Sequence, residues 1–310
     1  MKILIYGTGA VGGYFGARLA EAGNDVTFIA RGKHLEAIQK NGLQIKSIDG
    51  DFTVNPAKAT DTIQALNPDF DLIILGVKSW QVLDTAKAIK PILKESTLVL
   101  PLQNGVNNVD KLLSVIDKKH IIAGFCKIYA KVAGYGIINH FFYPPEISFG
   151  EIDNKKTNRI LELQSIFEKA KFKTVIPEDI ISDIWKKFMF ICAVSGLGAL
   201  SRVSIGAMVK NDETLNLLKK TVEEIYAIAI ANGVSLPEGM DKMMMDFIIN
   251  QPYDSTASTQ RDIMEGRPSE LENFNGYIIK QGIKHGIKTP VNEFVYNCLL
   301  PQERIARGEK

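Results

Sequence analysis

The first hundred residues alternate between short apolar runs and stretches with helical periodicity. The apolar runs predict four buried strands, over residues 3–6, 26–30, 71–77 and 97–100. Helices are predicted between or after them, over residues 10–22, 33–40, 79–90 and 106–115. Strands that alternate with helices in this way are typical of parallel βαβ units.

The pattern changes after residue 120. Three further strands are predicted to extend the sheet at one edge, over residues 121–128, 136–142 and 147–150, before a helix over 158–170 and a strand over 173–176. Helical periodicity then dominates, over residues 180–200, 212–232, 240–250, 270–282 and 291–305. We therefore predict an α/β protein with an N-terminal Rossmann-type doubly wound domain (1–177) and a C-terminal all-α domain (178–310).

Composition and charge restrict the classes of function. A chain of 310 residues suits two domains, and 45% hydrophobic with 23% charged residues is ordinary for a globular protein. The net charge is +2 and the basic residues are dispersed, so we expect no nucleic-acid partner. No signal-peptide pattern and no apolar stretch of about 18 residues is present, so we expect no membrane partner. Three separated cysteines form neither a disulfide framework nor a zinc motif, which favours a cytoplasmic protein without a metal.

A glycine-rich turn between the first predicted strand and helix is the strongest local signal. Its six residues are Gly7, Thr8, Gly9, Ala10, Val11 and Gly12. In a dinucleotide fingerprint the first glycine permits the tight turn, the second lets the backbone approach a pyrophosphate, and the third allows close helix packing. The alternative is a glycine-rich turn that binds no ligand.

The residue after the second strand indicates which dinucleotide is bound. Sites for NAD usually carry an acidic residue there, which binds the ribose 2′-hydroxyl. This chain has Arg31, whose guanidinium suits a 2′-phosphate and therefore favours NADPH or NADP⁺. The alternative is a solvated surface arginine. The four histidines have no acid–base or metal spacing and are interpreted as structural or surface residues.

Six sequence blocks in order resemble the ketopantoate reductase (2-dehydropantoate 2-reductase) family over essentially the whole chain. After the glycine turn and Arg31 come GVKSWQ (76–81), LQNGV (102–106), WKKF (185–188), STQRD (258–262) and GRPSELE (266–272), the last followed by Asn275-Gly276. The resemblance implies NADPH-dependent reduction of 2-dehydropantoate to pantoate, on the route to pantothenate and coenzyme A. Monomers and homodimers are both compatible with the sequence.

The resemblance also implies residue roles. Lys187, rather than Lys186, matches the general acid, and Glu270 matches the glutamate that assists it and binds substrate. Asn104 and Lys78 match residues beside the cofactor, and Asn104 and Ser258 match substrate-binding residues. From the residues alone, Lys186 and Lys187 could instead be solvated lysines, and Glu270 could be an ordinary acid in the first turn of a helix.

The chain departs from the family where asparagines usually face the substrate. These positions hold Ile191 and Ser195, which share a helix face with Lys187, and a third asparagine is replaced by Ser255. A lost hydrogen-bond donor commonly costs about 1–3 kcal/mol. Two alternatives to a ketopantoate reductase therefore stay open: an NADPH-dependent reductase of another 2-oxo acid or carbonyl compound, and a non-catalytic NADPH-binding regulatory protein.

Overall fold

The computed structural model describes residues 1–67 and 69–309, and the chain divides into two compact units. Unit one comprises Met1–Gln103 and Asn107–Ile180, and unit two comprises Asn104–Val106 and Ile181–Lys310. Unit one combines a parallel sheet with helices, and unit two is helical. The chain is therefore an α/β protein with an N-terminal Rossmann-like fold and a helical C-terminal part.

The strands all lie in unit one. Within the described part of the chain they are β1 (Lys2–Tyr6), β2 (Asp25–Ile29), β3 (Leu43–Ser47), β4 (Phe52–Val54), β5 (Lys58–Thr60), β6 (Leu72–Leu75), β7 (Leu98–Pro101), β8 (Ala123–Lys127), β9 (Ala130–Gly134), β10 (Ile137–His140), β11 (Glu146–Gly150) and β12 (Lys173–Val175). The central sheet is parallel, in the order β5-β2-β1-β6-β7. The order reverses between β1 and β6, and ligands of open parallel sheets bind beyond the carboxyl ends of the strands at such a point.

Five helices accompany the strands in the described part of unit one. They are α1 (Ala10–Glu21), α2 (Gly32–Asn41), α3 (Val82–Ile89), α4 (Asn108–Leu113) and α5 (Asn158–Glu168). A short 3₁₀ turn, Ser79–Gln81, precedes α3. The core of this unit contains Ile3 and Ile5 of β1, which are inaccessible to solvent. The apolar strands of the sequence therefore supply the buried centre of the sheet, as continuous apolar runs predict.

Unit two consists of helices around a separate apolar core. They are α6 (Ile180–Ser201), α7 (Ile205–Val209), α8 (Asp212–Ala231), α9 (Met240–Ile249), α10 (Ser258–Met264), α11 (Asn275–His285) and α12 (Pro290–Ala306). Helix α6 is almost entirely apolar after Lys187, and its residues Met189 and Cys192 are inaccessible to solvent. It is therefore a core helix, with Lys186 and Lys187 near its first turns.

Three expectations from the sequence were wrong. The strands after residue 120 do not extend the parallel sheet. Strands β9 and β10 join β3 and β4 in a second sheet, ordered β4-β3-β10-β9, and the others form a third sheet, ordered β12-β11-β8. One isolated bridge links Val99 to Ile121. Strands β3, β4, β5 and β9 were not predicted, because they are short and partly polar. Helix α11 begins at Asn275 rather than at residue 270, because residues 270–274 form a turn in which Phe274 N–H donates to Glu270 O.

Candidate active site

Glycines 7 and 12 let α1 approach β1 and β6 closely. Gly7 has φ +102°, a left-handed conformation that only glycine adopts without strain, and follows β1 directly. A Cβ on Gly12 would lie 2.1 Å from Gly7 O, and a Cβ on Gly76 would lie 2.6 Å from the same oxygen. The turn of the fingerprint therefore has space for backbone but none for side chains at these positions.

Gly9, in contrast to Gly7 and Gly12, has space for a side chain. A Cβ at Gly9 would meet no atom within 4 Å, and its φ of −81° is accessible to any residue. Gly9 is the N-cap of α1, and no side chain caps the helix there. The first backbone N–H groups of a helix form an anion-binding site. The space beside Gly9, at the start of α1, therefore suits a phosphate group, as the dinucleotide fingerprint requires.

Thr8 is hydrogen-bonded to Ile29 and to His34, and the sequence did not predict a position for His34 beside the glycine turn. Its N–H and Oγ1 both donate to Ile29 O at the end of β2, at 3.0 and 2.8 Å. Its own carbonyl lies 2.8 Å from Nε2 of His34, whose Nδ1 accepts from Gly136 N–H at 3.0 Å. Burial lowers the pKa of His34, although the Thr8 carbonyl opposes this. A neutral His34 with its proton on Nε2 satisfies both bonds, and no spacing signal in the sequence indicates this role.

The cations expected beside the cofactor are exposed. Arg31 lies two residues after β2 and caps the N-terminus of α2 with extended backbone. Lys78 follows β6, with its Nζ 5.9 Å from the centre of the Trp80 ring and its N–H donating to Gln81 Oε1. Both follow the carboxyl ends of strands that flank β1, so the structure puts them at the edge of the sheet where the glycine turn lies.

The loop after β7 carries a further polar group. Gln103 Nε2 donates to Leu75 O at 2.7 Å, which leaves Gln103 Oε1 buried without a hydrogen-bond partner in the described structure. A buried acceptor of this kind usually has a partner, from the protein, water or a ligand. Asn104 follows it, half-buried, and Gly105 has φ +101°. The Asn-Gly pair therefore forms a sharp turn.

Lys187 and Lys186 have different surroundings on α6. Lys186 Nζ pairs with Asp183 at 2.9 Å, one helical turn earlier. Lys187 is half-buried and lies four and eight residues before Ile191 and Ser195, on one face of the helix. The lysine that the family resemblance selects is therefore not the one in the local ion pair with Asp183.

The hydroxyl of Ser195 is buried without a hydrogen-bond partner in the described structure. Serine and threonine in helices commonly donate to the carbonyl four residues earlier, and Ser201 and Thr221 do so, each at 2.7 Å. Ser195 does not, although only 1% of its surface is exposed. Its Oγ is thus a buried polar group on the face that carries Lys187, with capacity for a ligand.

Ser258 is the first residue of α10, and the neighbouring Gln260 fixes this helix to the end of α6. The Gln260 side chain is fully buried and donates from Nε2 to Gly198 O at 3.1 Å and Val203 O at 2.7 Å. A Cβ on Gly198 would lie 2.8 Å from the Gln260 amide, so glycine is required there. Ser255 is half-buried, and its carbonyl accepts from Ile205 N–H at 2.9 Å.

Glu270 is 4% exposed and lies in the turn before α11. The turn ends at Phe274, whose ring packs edge-on against Phe188 with centroids 5.7 Å apart. Phe188 is adjacent to Lys187 in α6, so this aromatic contact packs the turn that carries Glu270 against the same part of the helix. The alternative that Glu270 is an ordinary first-turn acid of a helix was wrong, since α11 begins only at Asn275.

Cys192 of α6 does not have the properties of a nucleophile. Cys192 is fully buried, and burial, with a further contribution from the Glu224 carboxylate, raises its thiol pKa well above the ordinary value. A thiol with a raised pKa is a poor nucleophile.

Among residues 1–67 and 69–309, no helix is long and apolar enough to cross a membrane, and no group of three metal-ligating side chains occurs.

The residues expected to act together thus fall into two sets. The glycine turn, Arg31 and Lys78 meet at the carboxyl edge of the parallel sheet in unit one. In unit two, α6 carries Lys187, Ile191 and Ser195, while α10 and the turn before α11 carry Ser258 and Glu270. Asn104 belongs to unit two by its contacts, although it follows a strand of unit one.

Comparison with known proteins gives consistent matches along the whole chain. Residues 3–154 match the family model described as ketopantoate reductase PanE/ApbA, and residues 179–303 match its C-terminal model. A 2-dehydropantoate 2-reductase of Pyrococcus horikoshii is 31% identical, with 100% of both chains covered. An uncharacterized oxidoreductase, YkpB, of Bacillus subtilis is 30% identical, covering 98% of this chain and 99% of the relative.

A solved structure agrees with the sequence matches. The crystal structure of a PanE/ApbA family ketopantoate reductase from Ralstonia eutropha has a TM-score of 0.89 and 30% identity, covering 99% of this chain and 100% of that one. The family models and the full-length relatives thus confirm the resemblance that the sequence blocks indicated. The chain belongs to the ketopantoate reductase family and is an oxidoreductase that acts on a keto or hydroxy group.

Proposed function

We propose that this protein reduces 2-dehydropantoate to pantoate with NADPH. The observation that carries the proposal is the α6 face with half-buried Lys187 and the unpartnered Ser195 hydroxyl. A cation and a hydroxyl on one face suit a keto acid, which presents a carbonyl oxygen and a carboxylate. Family membership supports the same reaction.

The cofactor part of the proposal rests on unit one. Gly9 leaves open space at the N-terminus of α1 for the pyrophosphate, and the N–H groups of that turn would bind it. Arg31 would pair with the 2′-phosphate, and Lys78 and Asn104 would lie beside the rest of the dinucleotide. The reduced nicotinamide supplies the hydride when bound.

The protein's own residues would then manage charge and protons. As hydride adds to the 2-keto carbon, the C=O π bond breaks and negative charge develops on the oxygen. The Lys187 ammonium would stabilise this charge and donate its proton to that oxygen, giving the alcohol and a neutral amine that regains a proton from water. Glu270, buried in the neighbouring turn, would orient Lys187 and accept a hydrogen bond from the substrate hydroxyl. Ser258 and Ser255 would bind the remaining polar groups.

A second candidate is a reductase of a different 2-oxo acid, with the same residues in the same roles. Ile191 favours it, because a partly exposed isoleucine one turn after Lys187 offers apolar surface where the family usually has an amide. Such a pocket prefers a substrate with a larger hydrocarbon part. Ser195 keeps one hydrogen-bonding group on this face.

The experiment that tests the proposal is NADPH oxidation at 340 nm with ketopantoate and a panel of branched and aromatic 2-oxo acids. Ile191→Asn is assayed beside the wild-type protein, and NADH serves as the cofactor control. The proposal requires ketopantoate to have the highest kcat/KM of the panel. A different 2-oxo acid at the top, with Ile191→Asn shifting the preference towards ketopantoate, would establish the second candidate instead.

A further inference from the structure

A buried carboxylate from α12 binds the chain segment that carries Glu270. Glu303 is 5% exposed and accepts the Ser269 N–H at both oxygens, at 3.0 and 3.1 Å. The Ser269 hydroxyl donates to Glu303 Oε2 at 2.5 Å. Residue 269 lies 34 positions earlier in the chain, so α12 holds this segment through tertiary contacts alone.

Arg307, the C-cap residue directly after α12, completes the arrangement. Its Nε donates to Glu303 Oε1 at 2.7 Å, and its Nη2 donates to Ser269 O at 2.9 Å. The Ser269 hydroxyl also accepts from Leu271 N–H at 3.2 Å. We call Glu303, Arg307 and Ser269 the clamp. The residues on both sides of Glu270 are therefore fixed, and Glu270 O is fixed by Phe274 N–H at 3.0 Å.

The helix itself does not favour a carboxylate at this position. Glu303 lies near the carboxyl end of α12, where the helix dipole disfavours negative charge. Burying an ion pair is often no better for stability than an apolar replacement of similar size. The clamp does, however, restrict the backbone of residues 269–271 at the point where a functional carboxylate must be held in one place.

From this geometry we infer that Glu303 is a positioning residue, which acts on the reaction through Glu270. The inference rests on the proposed function, in which Glu270 orients Lys187 and binds substrate. Glu303 itself touches neither substrate nor cofactor in this scheme. Its effect is to keep the Glu270 carboxylate fixed before the substrate arrives, so that no binding energy is needed to order the turn.

The test is a double-mutant cycle of Glu303→Gln and Glu270→Gln, measured as kcat and KM for ketopantoate. Glu303→Gln replaces one oxygen with an NH₂ group that faces the Ser269 and Arg307 donors, so the clamp opens. We expect kcat to fall by about 10- to 100-fold, as misplacement of a catalytic group by about 1 Å does, and the NADPH Kd to stay unchanged. In the Glu270→Gln background the same substitution should cause no further loss.

Glu151→Gln is the matched control. Glu151 is also a buried glutamate bonded to an arginine and a hydroxyl, Arg159 at 2.6 Å and Thr157 at 2.6 Å, but it lies in unit one. If Glu151→Gln destabilises the protein as much as Glu303→Gln does and lowers kcat by the same factor, the loss of kcat is a general effect of destabilisation, and the inference is overturned. Losses that multiply in the double mutant would overturn it as well. If Glu303→Gln does not fold, Ser269→Ala replaces it in the cycle, since it removes the 2.5 Å hydroxyl bond.

The wild-type protein separates this inference from the proposed function. If it reduces ketopantoate and the cycle is multiplicative, only the inference is wrong. If it reduces another 2-oxo acid instead, the substrate assignment is wrong and the cycle is measured with that acid. If it reduces no member of the panel, both are wrong.

Discussion

Two alanine substitutions in the glycine turn should separate cofactor binding from folding. Gly12→Ala adds a methyl group 2.1 Å from Gly7 O and 2.9 Å from Ile5 Cγ2. Because one neighbour is a backbone oxygen and the other belongs to a buried residue of β1, α1 must move away from β1. Overpacking of this kind typically costs about 1–3 kcal/mol. We therefore expect a lower melting temperature and weaker NADPH binding.

Gly9→Ala is the informative partner, because the protein itself has room for the methyl group. Nothing lies within 4 Å of that Cβ, and φ is −81°. Alanine reduces the entropy of the unfolded chain, which stabilises by about 0.4–1 kcal/mol, but it is a poorer N-cap than glycine. These effects are opposite and similar in size, so stability should hardly change. The methyl group would occupy the space where the pyrophosphate must approach.

The assay is thermal unfolding without cofactor, followed by NADPH titration monitored by fluorescence. A steric conflict of about 1–3 kcal/mol raises the Kd of Gly9→Ala by about 5- to 150-fold, with the melting temperature of the free protein unchanged. Gly12→Ala should lose both thermal stability and NADPH affinity. Wild-type NADPH affinity in a folded Gly9→Ala protein would refute the placement of the pyrophosphate at this turn.

Three further substitutions test two residues near the cofactor turn and one buried ion pair of unit one. Arg31→Gln should raise the Kd for NADPH by about tenfold or more, since a charge-assisted hydrogen bond contributes about 1.5–3 kcal/mol, and leave NADH binding unchanged; equal effects on both would contradict a 2′-phosphate role. His34→Ala should weaken NADPH binding by releasing Thr8. Burial lowers the pKa of His34, so the neutral imidazole stabilises the fold at pH values above 6.5, the ordinary pKa, and this stabilisation is lost as the pH falls towards the lowered pKa of the folded state. The melting temperature of the wild-type protein should therefore be more sensitive to acid than that of His34→Ala. Equal acid sensitivity of the two proteins would exclude a buried neutral His34. Glu146 is buried, which would raise its pKa, but hydrogen bonds from Lys127 and Lys173 lower it below the ordinary value. Glu146→Gln should therefore destabilise at pH 7 by about 1–2 kcal/mol, with exposed lysines limiting the effect, and the difference should vanish in acid; a difference that persists there would point to packing instead.

The parallel sheet and the glycine turn were predictable because their signals are local. Continuous apolar runs such as residues 72–75 identify buried strands, and the Gly7–Gly12 spacing reports a backbone contact that only glycine permits. The second sheet was not predictable in this way. Its strand β10 pairs with β3, so that Ile138 lies beside Ile45, and such a pairing leaves no periodic mark in either segment.

The candidate site residues come from the family resemblance, whereas the contacts that support them could not be predicted from the sequence. The resemblance selected Lys187 and Glu270 by type and order. The supporting contacts depend on residues distant in sequence: Glu303 holds the turn at 270, and Gln260 of α10 bonds Gly198 of α6. The same reason explains the wrong start of α11, since the turn before it is fixed by α12 rather than by local propensity.

The most direct test of the central claim compares Lys187→Ala with Lys186→Ala in NADPH-dependent reduction of ketopantoate. Lys187→Ala should lower kcat by about 10²- to 10⁴-fold, the usual effect of losing a general acid, with NADPH still bound. Lys186→Ala removes only a partly exposed ion pair with Asp183 and should keep near wild-type kcat. Turnover that survives in Lys187→Ala, or is lost equally in both variants, would contradict the assignment of Lys187 as the proton donor.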